Sequence, residues 1–179
     1  MGPIVRPQVL ADTDAVRAIL TDAFADEGHV ATLAEALLDG PSRVALVAEA
    51  GDEVAGHVQL SRSWLDAPRR LVDVLVLSPL GVAPRHQGTG LGAQLVRAAL
   101  KAAATMKTPL VFLEGDPGFY GRLGFERADK LGFTSPSVRI PEAAFQVAPM
   151  ASWKRWMTGA LVYSDVFWTH DAVGLRSTD

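Results

Sequence analysis

The chain has 179 residues, 49% of them apolar, with a formal net charge of −3 and no cysteine. That length and apolar share suit one domain over 1–179 with a sizeable core, taken as 4–150 plus an aromatic C-terminal extension at 151–179. The acidic balance, without any Lys/Arg-rich run, argues against nucleic-acid binding, and the missing cysteine excludes disulfides, thiolate zinc sites and a cysteine nucleophile.

The opening Met1-Gly2-Pro3-Ile4-Val5-Arg6 carries no apolar signal core, and no apolar run is long enough to span a bilayer, so a cytoplasmic protein without membrane contact is expected. Ile4 to Pro7 reads as a short edge strand, because Pro7 cannot donate to a ladder. Asp12-Thr13-Asp14 offers capping side chains to a helix whose inward residues are Val16, Ile19, Leu20 and Phe24. A second helix is expected over Val30 to Leu38, with Leu33, Leu37 and Leu38 inward, ending at Asp39-Gly40-Pro41-Ser42. Val44–Ala50 and Val54–Leu60 then form a hairpin about Gly51-Asp52-Glu53, and Ser63 to Arg70 reads as a polar loop.

The run Leu71-Val72-Asp73-Val74-Leu75-Val76-Leu77 predicts a buried central strand. A helix follows to about Met106, with Leu91, Leu95, Ala98 or Ala99 and Ala102 on one face and Gln94, Arg97, Lys101 and Thr105 on the other. Leu110-Val111-Phe112-Leu113 is a short strand, most simply parallel to the central one. Pro117 stands where a first helical residue would, after an Asp116 cap, and the short helix Gly118 to Leu123 stops at Gly124, with Phe125 packing beyond it. Ala143–Val147 and Leu161–Tyr163 read as further strands, and Trp153, Trp156, Phe167 and Trp168 as core or dimer packing.

The stretch between the central strand and the long helix carries the functional signal. Arg85-His86-Gln87-Gly88-Thr89-Gly90-Leu91-Gly92 places three glycines in five residues at a helix start. A helix start leaves N–H groups unpaired and carries a partial positive charge, and glycine lets an anion approach the backbone closely. Arg85 adds a fixed charge suited to phosphate oxygens. A P-loop would need Lys-Ser or Lys-Thr where Leu91-Gly92 stands, and Gly88-x-Gly90-x-Gly92 has the wrong final spacing for a dinucleotide fingerprint. No metal is expected, since His29, His57, His86 and His170 lack ligand spacing.

Arg-x-x-Gly-x-Gly over Arg85–Gly90 closely resembles the pyrophosphate loop of the GNAT N-acetyltransferase superfamily. Tyr120-Gly121-Arg122-Leu123-Gly124-Phe125 is similar to its Tyr-x-x-x-Gly-Phe pattern after the fifth strand. Pro79-Leu80-Gly81-Val82, Gly115-Asp116-Pro117 and Ala144-Phe145-Gln146-Val147 further resemble the YhbS-like predicted acetyltransferases. The resemblance implies the GNAT α/β (α+β) fold: a mixed, largely antiparallel central sheet, flanked by helices, with a splay between its fourth and fifth strands. It also implies acetyl-CoA as cosubstrate. The cofactor would be held by Leu80, Gly81 and Val82 on the strand, by Arg85, His86, Gln87, Gly88, Thr89, Gly90, Leu91 and Gly92 in the loop, and by Asp116 and Tyr120.

In that family the backbone near Leu80 would stabilise the negative charge on the thioester oxygen, and Tyr120 occupies the general-acid position. The family's strand glutamate is missing, so the base stays open among Asp73, His57, Glu114 and Asp116, or a water chain. The expected function is acetyl transfer from acetyl-CoA to an amine, small-molecule or protein, through a tetrahedral intermediate. A non-catalytic acyl-CoA-binding module on the same fold is the alternative, a longer acyl chain is a weaker one, and a homodimer is compatible with the aromatic tail.

Overall fold

A computed structural model describes residues 2–177, so Met1, Thr178 and Asp179 of the expected 1–179 domain lie outside the described residues. The strands are β1 (Ile4–Pro7), β2 (Ser42–Ala50), β3 (Glu53–Asp66), β4 (Leu71–Val82), β5 (Leu110–Glu114), β6 (Glu126–Arg127), β7 (Phe133–Thr134), β8 (Phe145–Pro149) and β9 (Gly159–Val162). The helices are α1 (Thr13–Phe24), α2 (His29–Leu38), α3 (Leu91–Thr105), α4 (Pro117–Tyr120) and α5 (Asp165–Thr169). The pairing is mixed and mostly antiparallel, as expected, with β4 and β5 parallel. Among the described residues no helix is long and apolar enough to cross a membrane.

The chain divides into two compact units, Met1–Ser61 with Leu77–Ala102, and Arg62–Val76 with Ala103–Asp179. In the first unit β1 pairs with β2, and β2 with the first part of β3, both antiparallel. Gly56 and His57 are successive residues of β3 and therefore face opposite sides of the sheet. A Cβ on Gly56 would meet Leu95 Cδ1 of α3 at 2.8 Å, whereas His57 lines a pocket with residues of α1 and α2. A Cβ on Gly81 would meet Leu20 Cδ2 of α1 at 2.7 Å. These two glycines let α3 and α1 settle directly on the strands, which fixes where α3 begins.

In the second unit the parallel β4–β5 ladder comprises Leu75↔Val111 and Val76↔Phe112. β8 then pairs antiparallel with β5 and with β6. Phe112 stacks on Phe145 at 5.8 Å and meets Phe133 edge-on at 5.1 Å, so β5 is buried in aromatic packing.

Several expectations need correction. Ser63–Asp66 is not loop: it continues β3, because β9 pairs with it through Trp64↔Val162, Leu65↔Leu161 and Asp66↔Ala160. The central strand likewise runs on through a cis Ser78–Pro79 peptide to Val82. The buried stripe of α3 passes through Leu91, Leu95, Ala99 and Ala103 rather than Ala102. Phe24 and Leu38, expected inward, are 44% and 43% exposed at the last residues of their helices. Asp12 stands at the N-cap of α1 but does not cap it; its carboxylate accepts from Arg6 (2.7 and 2.9 Å) and from the Val9 N–H (2.8 Å). Of the C-terminal rings, Phe167 is buried, Trp153 donates to the Met157 carbonyl at 3.0 Å, Trp156 lies under the Arg69 and Arg70 guanidiniums, and Trp168 is exposed.

Candidate functional site

In the first unit, β4 hands the chain to a loop built almost wholly of backbone. The Ala83 N–H bonds the Ala55 carbonyl at 2.8 Å, Pro84–His86 makes a tight 3-10 turn, and Gln87 is extended. Gly88 and Gly90 then take φ of 75° and 87°. A side chain in that left-handed region costs about 1–2 kcal/mol, so glycine is required by the backbone. A Cβ at either position would meet nothing within 4 Å, so the loop's outer surface faces open space. The first internal bond of α3 runs from the Gln94 N–H to the Gly90 carbonyl at 3.1 Å. The N–H groups of Leu91, Gly92 and Ala93 precede it and have no acceptor within the helix. With the positive end of a helix of about four turns, they offer donors and positive potential of the kind that suits a phosphate-sized anion.

The side chains around these N–H groups are engaged with protein groups. Arg85 Nε and Nη2 donate to the two oxygens of Glu53, at 3.0 and 2.6 Å, and His86 Nε2 lies 2.7 Å from the same carboxylate. Arg85 first, then His86, holds the Glu53 carboxyl down to about 2. Gln87 Nε2 donates to the Val82 carbonyl at 3.0 Å, and the Thr89 hydroxyl to the His86 carbonyl at 2.6 Å. Leu80 and Val82 are half-buried either side of buried Gly81. Any phosphate reaching Arg85 therefore competes with Glu53, a partner no sequence motif signals.

The second unit holds the tyrosine turn. Asp116 caps α4, accepting from the Gly118 N–H at 2.9 Å, and its carbonyl accepts from the N–H groups of Phe119 and Tyr120. Its side chain is thus a cap, the simpler of its two expected roles. Gly124 ends the turn with φ of 94°. The Tyr120 ring packs edge-on between Phe119 (4.8 Å) and Phe125 (5.6 Å) and covers Gly115, where an added Cβ would collide with it. Its hydroxyl has no hydrogen-bond partner among the described residues, and burial pushes the phenol up to about 12. Tyr120 is therefore a protonated, uncommitted donor at neutral pH.

The remaining candidates separate cleanly. His57 is 1% exposed; burial lowers its pKa to about 4, so its ring is neutral. Its Nε2 lies 3.4 Å from Gln59 Oε1 and its Nδ1 is unpartnered, in the pocket under α1 and α2 with Gln8, Arg17, Ala34 and Glu35. Asp73 is exposed and paired with Arg62 Nη2 at 2.9 Å. Glu114, at the end of β5, accepts from the Tyr163 hydroxyl at 2.9 Å and the Gly174 N–H at 3.1 Å. Tyr163 and Gly174 carry no motif; their bonds to Glu114 come only from the folded chain.

A strand–glycine loop–helix segment in the first unit and a parallel strand pair in the second are both features of an acetyltransferase-type architecture. The chain belongs to the GNAT acetyltransferase family: the profile described as "Acetyltransferase (GNAT) domain" matches residues 5–128. It is 28% identical over 161 residues to the uncharacterized N-acetyltransferase YjhQ of Escherichia coli strain K12, covering 87% of this chain and 88% of that one. Uncharacterized N-acetyltransferase YhbS of the same strain is 28% identical over 168 residues, covering 92% and 98%. The crystal structure of E. coli YhbS in complex with CoA superposes with a TM-score of 0.82 at 28% identity, over 92% of this chain and 91% of that one. A GNAT acetyltransferase from Brucella melitensis, solved with acetyl-CoA, shares the fold at 23% identity and a TM-score of 0.74, over 93% and 98% of the two chains.

Proposed function

We propose that this protein transfers an acetyl group from acetyl-CoA to an amine. The observation that carries the reading is the loop at the start of α3: Gly88 and Gly90 are left-handed, open to solvent, and followed by unpaired N–H groups. That loop is shaped for the pyrophosphate of a coenzyme A thioester, with the backbone from Gln87 to Gly92 as donors and Arg85 as the flanking charge. The CoA bound to the related YhbS supports the same cofactor here.

On this reading the half-buried end of β4, Leu80 to Val82, supplies backbone groups to the pantetheine arm and an N–H to the thioester oxygen, where negative charge grows as the amine attacks. Tyr120 gives its proton to the leaving sulfur; its uncommitted hydroxyl supports that role, and burial keeps the phenol protonated. Calorimetry with acetyl-CoA and measurement of free-thiol release across a panel of primary amines test the reading together. Binding with amine-dependent thiol release is the expected result. A folded protein that ignores acetyl-CoA at millimolar concentration overturns it, and tight binding without release from any amine favours a non-catalytic acyl-CoA-binding module.

A further inference from the structure

Arg6, Arg17, Arg62, Arg85, Arg127 and Arg176 each meet a carboxylate at 2.6–2.9 Å. In the second unit Arg69 and Arg70 do not. Both are exposed in the turn between β3 and β4, and both guanidiniums lie over one ring, that of Trp156, at 5.4 and 5.3 Å from its centre. Laid end to end, those distances put the two charges at most 10.7 Å apart. That is about one Debye length at 0.1 M salt, so the two like charges repel each other in solution. Among the described residues neither has a carboxylate partner; Arg70 Nη1 reaches only the Leu71 carbonyl, at 3.4 Å. Arg62 makes the contrast. Its guanidinium lies over Trp64 at 5.3 Å in the same manner, and Asp73 neutralises it at 2.9 Å.

The backbone holds this cluster together. The Met157 N–H bonds the Lys154 carbonyl at 2.8 Å, closing a tight turn with Arg155 and Trp156 in its middle, and Met157 is buried. The pairing of β3 with β9, through Asp66↔Ala160, draws that turn towards the one that carries Arg69 and Arg70. Lys154 and Arg155 are exposed and also lack a carboxylate partner among the described residues. Segments 66–70 and 153–158 thus carry four cations and a single acid, Asp66, in a chain whose formal net charge is −3.

We propose that Arg69, Arg70 and Trp156, flanked by Lys154 and Arg155, form a docking surface for an acidic segment of a polypeptide partner. The ring holds each guanidinium by cation–π attraction and leaves its in-plane N–H donors for oxygen ligands. Those donors match a carboxylate in pairs. In an extended segment, carboxylates two residues apart stand about 7 Å from each other on one side, close enough to meet both arginines at once. Nucleic acid fits less well: bases need an open ring to stack on, and Trp156 carries two guanidiniums. A lipid surface would use the turn's aromatic rings as anchors, but Trp156 is taken and the Trp153 N–H is bonded to the Met157 carbonyl at 3.0 Å. The surface shares no residue with the glycine loop and needs no acetyl-CoA, so it goes beyond the acetyl-transfer reading.

The test uses the full chain without acetyl-CoA and a short fluorescein-labelled peptide of alternating Glu and Ser, with a Gln-for-Glu peptide as its neutral match. Anisotropy at low salt is expected to show binding of the Glu peptide and none of the Gln peptide. Arg69→Gln combined with Arg70→Gln should weaken the Glu peptide about tenfold, and the difference should fade near 1 M salt, where the Debye length is about 3 Å. Lys154→Gln combined with Arg155→Gln is an independent second pair and should weaken it about threefold. Arg43→Gln removes a first-unit arginine bonded only to backbone carbonyls and should leave binding unchanged. Wild-type protein that ignores the Glu peptide, binds the Gln peptide equally, or keeps its affinity in both paired variants overturns the proposal. So does tighter binding of single-stranded RNA or of phosphatidylserine vesicles that the paired variants abolish, which would assign the surface to nucleic acid or to lipid.

Discussion

The two units present opposite ways of building a site. The loop after β4 is made of backbone: left-handed glycines, unpaired N–H groups and a helix end, with side chains only at its rim. The tyrosine turn and the end of β5 are made of side chains: a phenol packed between rings, and a carboxylate held by a second phenol 49 residues away. A backbone site is stiff and indifferent to what lies beyond the phosphate. A side-chain site is where proton affinity is set, by burial and by partners. The division predicts that damage to the first unit's loop appears as lost binding and damage to the second unit's turn as lost turnover.

Gly90→Asp should break the first half most severely. It combines a Cβ at φ of 87° with a negative charge where the phosphate is expected, and acetyl-CoA affinity should fall more than a hundredfold by calorimetry. Gly90→Ala carries the strain without the charge and should fall less, about tenfold. Tyr120→Phe should break the second half: the turnover number falls about a hundredfold while acetyl-CoA affinity stays within twofold. An affinity loss matching the turnover loss would mean that Tyr120 holds the cofactor rather than acting on it.

The same division decides what could be read before folding. Arg85 to Gly92 is contiguous, and a left-handed glycine loop before an amphipathic helix is a local property, so the loop, α3 and the Asp116 cap were all legible. So were the β4–β5 parallel pair and the positions of β1, α1, α2 and β2. Ser63–Asp66 was misread as loop because its strand partner, Leu161 and its neighbours, lies far along the chain. The short β6, β7 and α5 have too few residues for any periodicity to show. Glu114 was visible only as one acidic residue among several; what singles it out are Tyr163 and Gly174, 49 and 60 residues away. Glu53, expected in a hairpin turn and found as the first residue of β3, gave no sign that it would claim Arg85.

His57 sharpens the comparison from the first unit's side. Its folded pKa of about 4 lies below the unfolded value of about 6.5. Between those values the unfolded chain binds a proton that the folded chain refuses. Stability therefore rises with pH through that window, by up to about 1.4 kcal/mol per pH unit, and is level on either side of it as far as this residue is concerned. His57→Gln, which cannot titrate, should flatten the slope of urea-unfolding free energy between about pH 4 and 6.5. An unchanged slope would mean that His57 reaches solvent or a partner, and would return it to the proton-transfer candidates.

The smallest expected effect concerns Glu53, an acidic side chain at the loop's rim. Glu53 orients Arg85 through a bidentate pair, yet it also sets a negative charge beside the seat for a polyanion. Both groups are largely exposed, with side chains 64% and 46% accessible, so the pair itself contributes little to stability. Repulsion between Glu53 and an incoming phosphate is screened on the same terms, with a Debye length near 10 Å at 0.1 M salt. Glu53→Gln keeps a hydrogen-bond acceptor for Arg85 and removes the charge. It should tighten acetyl-CoA binding about two- to threefold at low salt, and the gain should vanish near 1 M, where screening reaches about 3 Å. A weaker complex at low salt would show that the pair with Glu53 is what holds Arg85 ready for the phosphate, and that even the rim of the backbone site depends on side-chain geometry.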